Sequence, residues 1–281
     1  MNTSFNRISL TNVGAGAPAW IKVLFTRIEL IRVAIGQLLL PRKCYVQIRP
    51  NTTRKIADFP GLHEEIKTYN HDTSIAQKSL TVDGNRVIML RTMLKLAASL
   101  PDGDYAELGT YRGISARLIF RHMVADSEFH CFDTFEGFDD KDVNMETRNV
   151  RDRGIVGAFG DTSLLLAERY ILDGMNHQDR LFMHQGYFPA TFAGLENRTW
   201  RFVHLDPDLY MPTLEGLRYF FPRLVPGGVM LLHDYHSFFT GVRRAADEYC
   251  VPRSIVVVPM GDKAGTGAVV KPAVGSRIAV S

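Results

Sequence analysis

The chain has 281 residues, 46% of them hydrophobic and 22% charged, with a formal net charge of +3. That length and apolar content suit one large α/β domain with additions, and the near balance of charge excludes a broad nucleic-acid-binding field. Three cysteines, Cys44, Cys131 and Cys250, show no CxxC spacing; this argues against a disulfide framework or zinc site and for a reducing cytoplasm.

Residues 1–17 are polar and small, the composition of a mobile terminus. From Pro18 to Leu40 the chain is at its most apolar, but Lys22, Arg27, Glu29 and Arg32 interrupt it. Those charges exclude a plain membrane span or signal peptide. Ile21, Leu24, Phe25, Ile28, Ile31, Ile35 and Leu38 share a helical face opposite Lys22, Thr26, Glu29 and Arg32. An amphipathic helix stopped by Pro41 is expected. It either packs on the core, pairs with a second subunit in a homo-oligomer, or lies on a membrane surface. Arg42, Lys43, Arg49, Arg54 and Lys55 follow it, so residues 18–55 carry the basic patch that a peripheral contact with anionic lipid needs.

Residues 50–84 read as a connecting region, giving a division into an N-terminal extension (1–84) and a main domain (85–281). Tyr69, His71 and Thr73 are candidates to line an acceptor lid there. A helix is expected from Asn85 to Leu100, with Val87, Leu90, Leu94 and Ala97 on one face. Next comes Tyr105-Ala106-Glu107-Leu108-Gly109-Thr110-Tyr111-Arg112-Gly113. An acid in a short apolar run, two glycines and the start of a helical pattern read as strand, tight turn and helix. Such a turn presents backbone N–H groups at a helix N-terminus, and its glycines let the backbone approach a ligand. A second buried strand, Phe129 to Asp133, ends in an acid 20 residues after Gly113. Doubly wound folds place the carboxylate that holds ribose hydroxyls there.

Asp139 to Asp161 is charged and glycine-broken, and long for a simple connection; it is either an acceptor lid or a surface excursion. A helix is expected from Thr162 to Leu172, capped by Asp161 or Thr162. Arg180 to Gly186 reads as a third strand and Arg201 to Leu205 as a fourth, which delivers Asp206 and Asp208. A helix starting at Pro212 follows. Pro226-Gly227-Gly228 then turns into a fifth strand, Val229 to Leu232, which delivers His233 and Asp234. Ile255 to Val258 and Gly267 to Lys271 suggest a closing antiparallel pair. His204 is expected to pack beside a neighbouring element, His236 to lie in a loop, and His122, His130 and His177 carry no catalytic pattern. Phe238 and Phe239 would form an acceptor wall or plug the core.

The segment Glu107 to Gly113 resembles the first motif of class I S-adenosylmethionine (SAM)-dependent methyltransferases. With Phe132-Asp133-Thr134-Phe135-Glu136-Gly137-Phe138, Leu205-Asp206-Pro207-Asp208-Leu209-Tyr210 and Pro226-Gly227-Gly228, the chain from about Val87 to Lys271 resembles the macrocin O-methyltransferase family, which methylates sugar hydroxyls in natural products. The resemblance implies a Rossmann-like, doubly wound, seven-stranded and mostly parallel sheet. It also implies SAM as cofactor and a sugar or glycoside as acceptor. Glu107 would hold the ribose or the amino-acid end of SAM. Gly109, Thr110, Tyr111, Gly113 and Ser115 would wrap the methionine portion and Asp133 the ribose, with Thr134, Gln185, Gly186 and Asp206 also against the cofactor.

In that family the first acid of the fourth-strand motif and two acids after the fifth strand bind Mg²⁺, and the second acid of the fourth-strand motif is the base. By position, Asp206, His233 and Asp234 are the metal candidates, and Asp208 is the base. The departure is His233, where the family has an acid. Imidazole is a weaker ligand for a hard ion than carboxylate, which leaves three readings: Mg²⁺ on fewer protein oxygens, a softer ion such as Mn²⁺, or no metal, with His233 as the base. The rivals are an N-methyltransferase or phenolic O-methyltransferase of the same fold, and a non-catalytic SAM-binding subunit. A nicotinamide dehydrogenase is a poorer match, because Tyr111 stands where G-x-G-x-x-G needs glycine.

Overall fold

The computed structural model describes Gly61, Glu65, and residues 84–147, 154–262 and 265–272. The amphipathic segment 18–40, the basic residues that follow it, the lid candidates Tyr69, His71 and Thr73, and Cys44 lie outside the described residues. The elements in chain order are α1 (Gly84–Ala97), β1 (Asp104–Leu108), α2 (Ile114–His122), β2 (Phe129–Asp133), α3 (Asp140–Asn144), α4 (Leu164–Leu172), β3 (Leu181–Gln185), β4 (Trp200–Leu205), α5 (Tyr210–Phe220), β5 (Leu224–Leu232), α6 (Thr240–Cys250), β6 (Val258–Pro259) and β7 (Gly267–Val270).

The strands form one seven-stranded sheet in the order β3-β2-β1-β4-β5-β7-β6. β1 to β5 are parallel, and β7 runs antiparallel between β5 and β6. This is the class I methyltransferase sheet that the resemblance implied. The order reverses between β1 and β4, and such a switch point opens a crevice at the carboxyl ends of the strands.

Alternation within the strands builds two cores. Ala106, Leu108, Phe132, Val203, Leu205, Met230 and Leu232 face α5 and α6, meeting Leu214, Leu217, Val242 and Ala245. Tyr105, Phe129, Cys131, Phe202, Val229 and Leu231 face the other way, onto Val87, Leu90 and Leu94 of α1 and Ile119 of α2. Burial on both faces explains why these strands read as continuous apolar runs. Glu107 and His204 are cross-strand partners in this second core. Both side chains are fully buried, and Glu107 Oε1 lies 2.8 Å from His204 Nδ1.

Several expected boundaries move. β5 begins at Leu224, and Pro226-Gly227-Gly228 is a bulge within the strand rather than a turn before it. The register shifts there, from Trp200↔Leu224 to Phe202↔Val229. α5 starts at Tyr210, two residues before Pro212, because the chain turns into a helix directly after Leu209. α4 starts at Leu164 and its cap is Ser163, whose hydroxyl accepts from the Leu166 N–H. Asp161 and Thr162 are used elsewhere: Asp161 pairs with Arg112, and the Thr162 hydroxyl donates to the Tyr111 carbonyl. No helix among the described residues is long and apolar enough to cross a membrane.

Gly109 sets the tightest packing at the switch point. It has φ +88°, and a Cβ there would lie 2.2 Å from the Asp206 carbonyl oxygen. Gly109→Ala therefore combines a left-handed backbone with a backbone clash, and is predicted to cost about 2–4 kcal/mol of stability. Urea denaturation checks this; a change below about 0.5 kcal/mol, the size of an ordinary surface substitution, would contradict it.

Candidate active site

The parallel strands end flush. The N–H of Gly109 donates to Phe132 O, that of Gly186 to Asp133 O, that of Asp206 to Leu108 O and that of His233 to Leu205 O, all at 2.8–2.9 Å. Each bond extends the ladder one step past a strand end. Gly109, Asp133, Gly186, Asp206 and His233 are thereby set along one edge. Just beyond it, Tyr111, Phe135, Asp208 and Asp234 all adopt positive φ, between 51° and 60°. A non-glycine residue in this region costs about 1–3 kcal/mol, and such residues cluster at functional sites. Four neighbouring strand exits with the same distortion make this edge the candidate site.

Asp133 organises the β1 and β2 exits. Its Oδ2 accepts from Tyr111 N and its Oδ1 from Phe135 N, both at 2.7 Å. Burial raises its pKa, and these backbone donors oppose the rise. The N–H groups of Thr110 and Thr134 act on the same carboxylate, so Asp133 ties the two strand exits together. Gly109, Tyr111 and Gly113 have positive φ, and their N–H groups donate to Phe132 O, Asp133 Oδ2 and Thr110 O; the turn is held tightly from within, and its two glycines let a ligand approach the backbone closely. Thr110 is buried in this turn, and Ser115 sits beneath it in the first turn of α2. Glu107 lies on the core side of the turn, and its Oε2 has no hydrogen-bond partner among the described residues. Thr134 caps the local turn, accepting from Glu136 N and donating to Gly137 O. Gln185 is exposed at the end of β3, beside the Gly186–Asp133 bond. These features fit a SAM-sized cofactor: a glycine turn that admits close approach, a carboxylate at the neighbouring strand end and a buried orphan oxygen.

The second half of the edge is ionic. Ligand-type atoms of Asp206, Asp208, His233 and Asp234 all lie within 4.8 Å of one another. His233 Nδ1 is 2.6 Å from Asp206 Oδ1 and 2.9 Å from Asp234 Oδ2. Neither contact has the direction of a hydrogen bond, so that buried nitrogen has no hydrogen-bond partner. Burial and Arg86 disfavour a charged His233, but the Asp206 and Asp234 carboxylates outweigh them and push it up to about 9. Burial would raise Asp206; His233 and then Arg86 hold it below its ordinary value instead. Burial and the neighbouring Asp234 charge raise Asp208. The donor set, carboxylate oxygens plus one imidazole nitrogen within 4.8 Å of one another, has the size and donor types for a divalent cation.

Sequence reasoning missed Arg86. Its Nη2 is 2.6 Å from Asp206 Oδ2, in a pair whose side chains are only 13% and 16% exposed. The available signal was topological. A helix that leads into a parallel strand runs opposite to it, so the first turn of α1 reaches the carboxyl edge. His204 was expected to pack, and does so as the hydrogen-bond partner of Glu107, with its ring 6.2 Å from that of His233. His130, without a role in the sequence, has Nδ1 at 2.9 Å from His184 Nε2, and its pKa is lowered to about 3 by burial and by His184. His122 pairs with Glu65 at 2.6 Å.

The excursion after β2 folds back over the glycine turn. Asp161 accepts from the Tyr111 hydroxyl and pairs with Arg112, both at 2.6 Å. Tyr111 and Phe159 meet edge to face, and Gly137 packs where a Cβ would lie 2.5 Å from Ala158 O. Phe239 is buried in the core, whereas Phe238 is 49% exposed.

Comparison with known proteins agrees with this geometry. Residues 106–235 match the family model described as a methyltransferase domain. The match covers a little under half of the chain and, with the sheet order, agrees with a class I methyltransferase fold for the described region. Among curated relatives, the 8-demethyl-8-(2,3-dimethoxy-alpha-L-rhamnosyl)-tetracenomycin-C 4'-O-methyltransferase of Streptomyces olivaceus is 31% identical over 150 residues, covering 50% of this chain and 55% of that protein. The mycinamicin III 3''-O-methyltransferase of Micromonospora griseorubida is 29% identical over 156 residues, covering 52% of this chain and 60% of that one. The chain thus spans a little over half the length of these relatives. Among solved structures, the O-methyltransferase NovP superposes with a TM-score of 0.61 at 19% identity, over 75% of this chain and 98% of NovP. The calicheamicin methyltransferase CalS11 gives 0.55 at 16% identity, over 76% and 94%. At such identities the likeness speaks for the fold.

Removing Arg86 would leave the Asp206 carboxylate with His233 as its remaining charged partner. Arg86→Met is predicted to destabilise the protein by about 1–3 kcal/mol, the range for a charge-assisted hydrogen bond. Thermal and urea unfolding check the loss; unchanged stability would mean that the pair contributes nothing net.

Proposed function

We propose that this protein is a SAM-dependent O-methyltransferase whose acceptor is a hydroxyl of a sugar or of a glycosylated small molecule. The observation that carries the reading is the meeting, at one strand edge, of the Gly109–Gly113 turn and Asp133 with the cluster Asp206, Asp208, His233 and Asp234. A cradle for the methyl donor and a set of proton-accepting and ion-binding groups stand at adjacent strand ends. The names of the two curated relatives, both O-methyltransferases and one naming a rhamnosyl group, support the acceptor class.

SAM, when bound, supplies an already activated methyl group. What the chain must add is position and proton management. The Gly109–Gly113 turn receives the methionine end by close backbone approach, and Asp133 at the end of β2 meets the ribose hydroxyls. Asp208 takes the acceptor proton. Asp206, His233 and Asp234 would hold a divalent cation, which lowers the pKa of a hydroxyl beside it. Arg86 keeps Asp206 ionised and oriented.

The test is transfer of labelled methyl from SAM to a panel of deoxysugar glycosides. Asp208→Asn should lower turnover by about 10²-fold or more, the scale of a general base, with SAM affinity within twofold of the wild type. Full turnover in this variant would remove Asp208 from the mechanism. Because imidazole suits a softer ion than Mg²⁺, Mn²⁺ should bind more tightly than Mg²⁺ in calorimetry, and His233→Glu should narrow the difference. Tighter Mg²⁺ binding by the wild type would contradict the His233 assignment.

A further inference from the structure

Glu146 ends the short stretch that follows α3, and it is only 4% exposed. Its Oε1 accepts from the N–H of Tyr210, the first residue of α5, at 2.6 Å. A Cβ on Gly241, the second residue of α6, would lie 2.2 and 2.5 Å from its two carboxylate oxygens. One buried carboxylate therefore sits at the start of two helices. Neither helix has a side-chain cap from its own N-cap residue, Leu209 or Phe239. The first N–H groups of a helix lack internal partners, and the positive end of its dipole favours an anion.

A second tie runs in parallel. Arg244 of α6 donates to the Met145 carbonyl at 2.7 Å, and its guanidinium carbon lies 3.8 Å from the centre of the Tyr210 ring. Asp142 of α3 accepts from the Tyr187 hydroxyl at 2.6 Å, fastening the same stretch to the chain after β3. α5 begins two residues after Asp208, and α6 begins six residues after Asp234. Whatever holds the first turns of these helices holds the exits of β4 and β5.

We propose that Glu146 is a positioning residue that couples docking of the 139–147 stretch to the orientation of Asp208 and Asp234. The consequence for catalysis rests on the function proposed above. The stretch is then more than a cover, because seating it sets the acid-bearing turns, and its release would loosen them. Glu146 Oε1 accepts from the start of α5, while the buried Oε2, without a hydrogen-bond partner among the described residues, lies against the start of α6.

Hydrogen exchange of the full chain, read by peptide mass, tests the coupling without an acceptor. Glu146→Ala should speed exchange at least tenfold in residues 206–212 and 236–243 as well as in 140–147, with β1 to β3 unchanged. Glu146→Gln, which retains an oxygen to accept from Tyr210, should recover most of the protection. Should the alanine variant fail to fold, Arg244→Met should loosen 140–147 and 206–212 together. Faster exchange confined to 140–147, or none anywhere, would overturn the proposal. Calorimetry with SAM separates the two ideas. The variants should bind SAM within twofold of the wild type, and loss in the variants alone would contradict a positioning role. A wild type that binds no SAM would fail the functional reading while the exchange result stands by itself.

Discussion

The close approach of the β1 and β4 exits at Gly109 is the constraint on which the rest depends. With no Cβ, Gly109 lets the turn of β1 lie against the Asp206 carbonyl. Two consequences follow from that one contact. The turn that must meet the cofactor is held by the strand that delivers the acids, and the flush ladder bonds carry the alignment outward to Asp133, Gly186 and His233. A side chain at residue 109 would separate the two halves of the site by more than the tolerance of a transfer reaction, for which a displacement of about 1 Å costs about 10²-fold.

Electrostatics does the second part of the work. Three carboxylates meet at the edge, a crowding that would drive one or more of them to protonate if nothing opposed it. Arg86 and His233 oppose it, and Asp206 remains ionised between them. Below the floor, Glu107 and His204 form a separate buried hydrogen-bonded pair, so the polar character extends one layer into the sheet between β1 and β4. Such pairs add little net stability when compared with apolar packing; here they fix where the polar groups at the edge point.

Much of this was legible in the residues themselves. The strand-turn-helix at Tyr105 to Gly113 and the acids that end later strands follow from apolar runs closed by Gly or Asp. Parallel strands send their ends to one side, so their convergence follows too. Boundaries were less legible. Pro226-Gly227-Gly228 has the composition of a turn but is absorbed as a bulge, because β4 continues to pair on both sides of it. Asp161 has the composition of a cap, yet Arg112 and Tyr111 take it, leaving Ser163 to cap α4. Glu146 was not visible, and Arg86 only through the topology that brings the first turn of α1 to the edge. Each is an isolated charge in its own segment and gains meaning only from what tertiary packing sets opposite it.

The central claim is that this strand edge is a SAM site with an ion-binding acid cluster beside it. Calorimetric titration of the wild-type protein with SAM and with S-adenosylhomocysteine, each with a divalent cation and with EDTA, tests it most directly. Micromolar binding of both ligands is predicted, since the turn and Asp133 contact parts that the two share. Failure of both to bind under every condition would contradict the account.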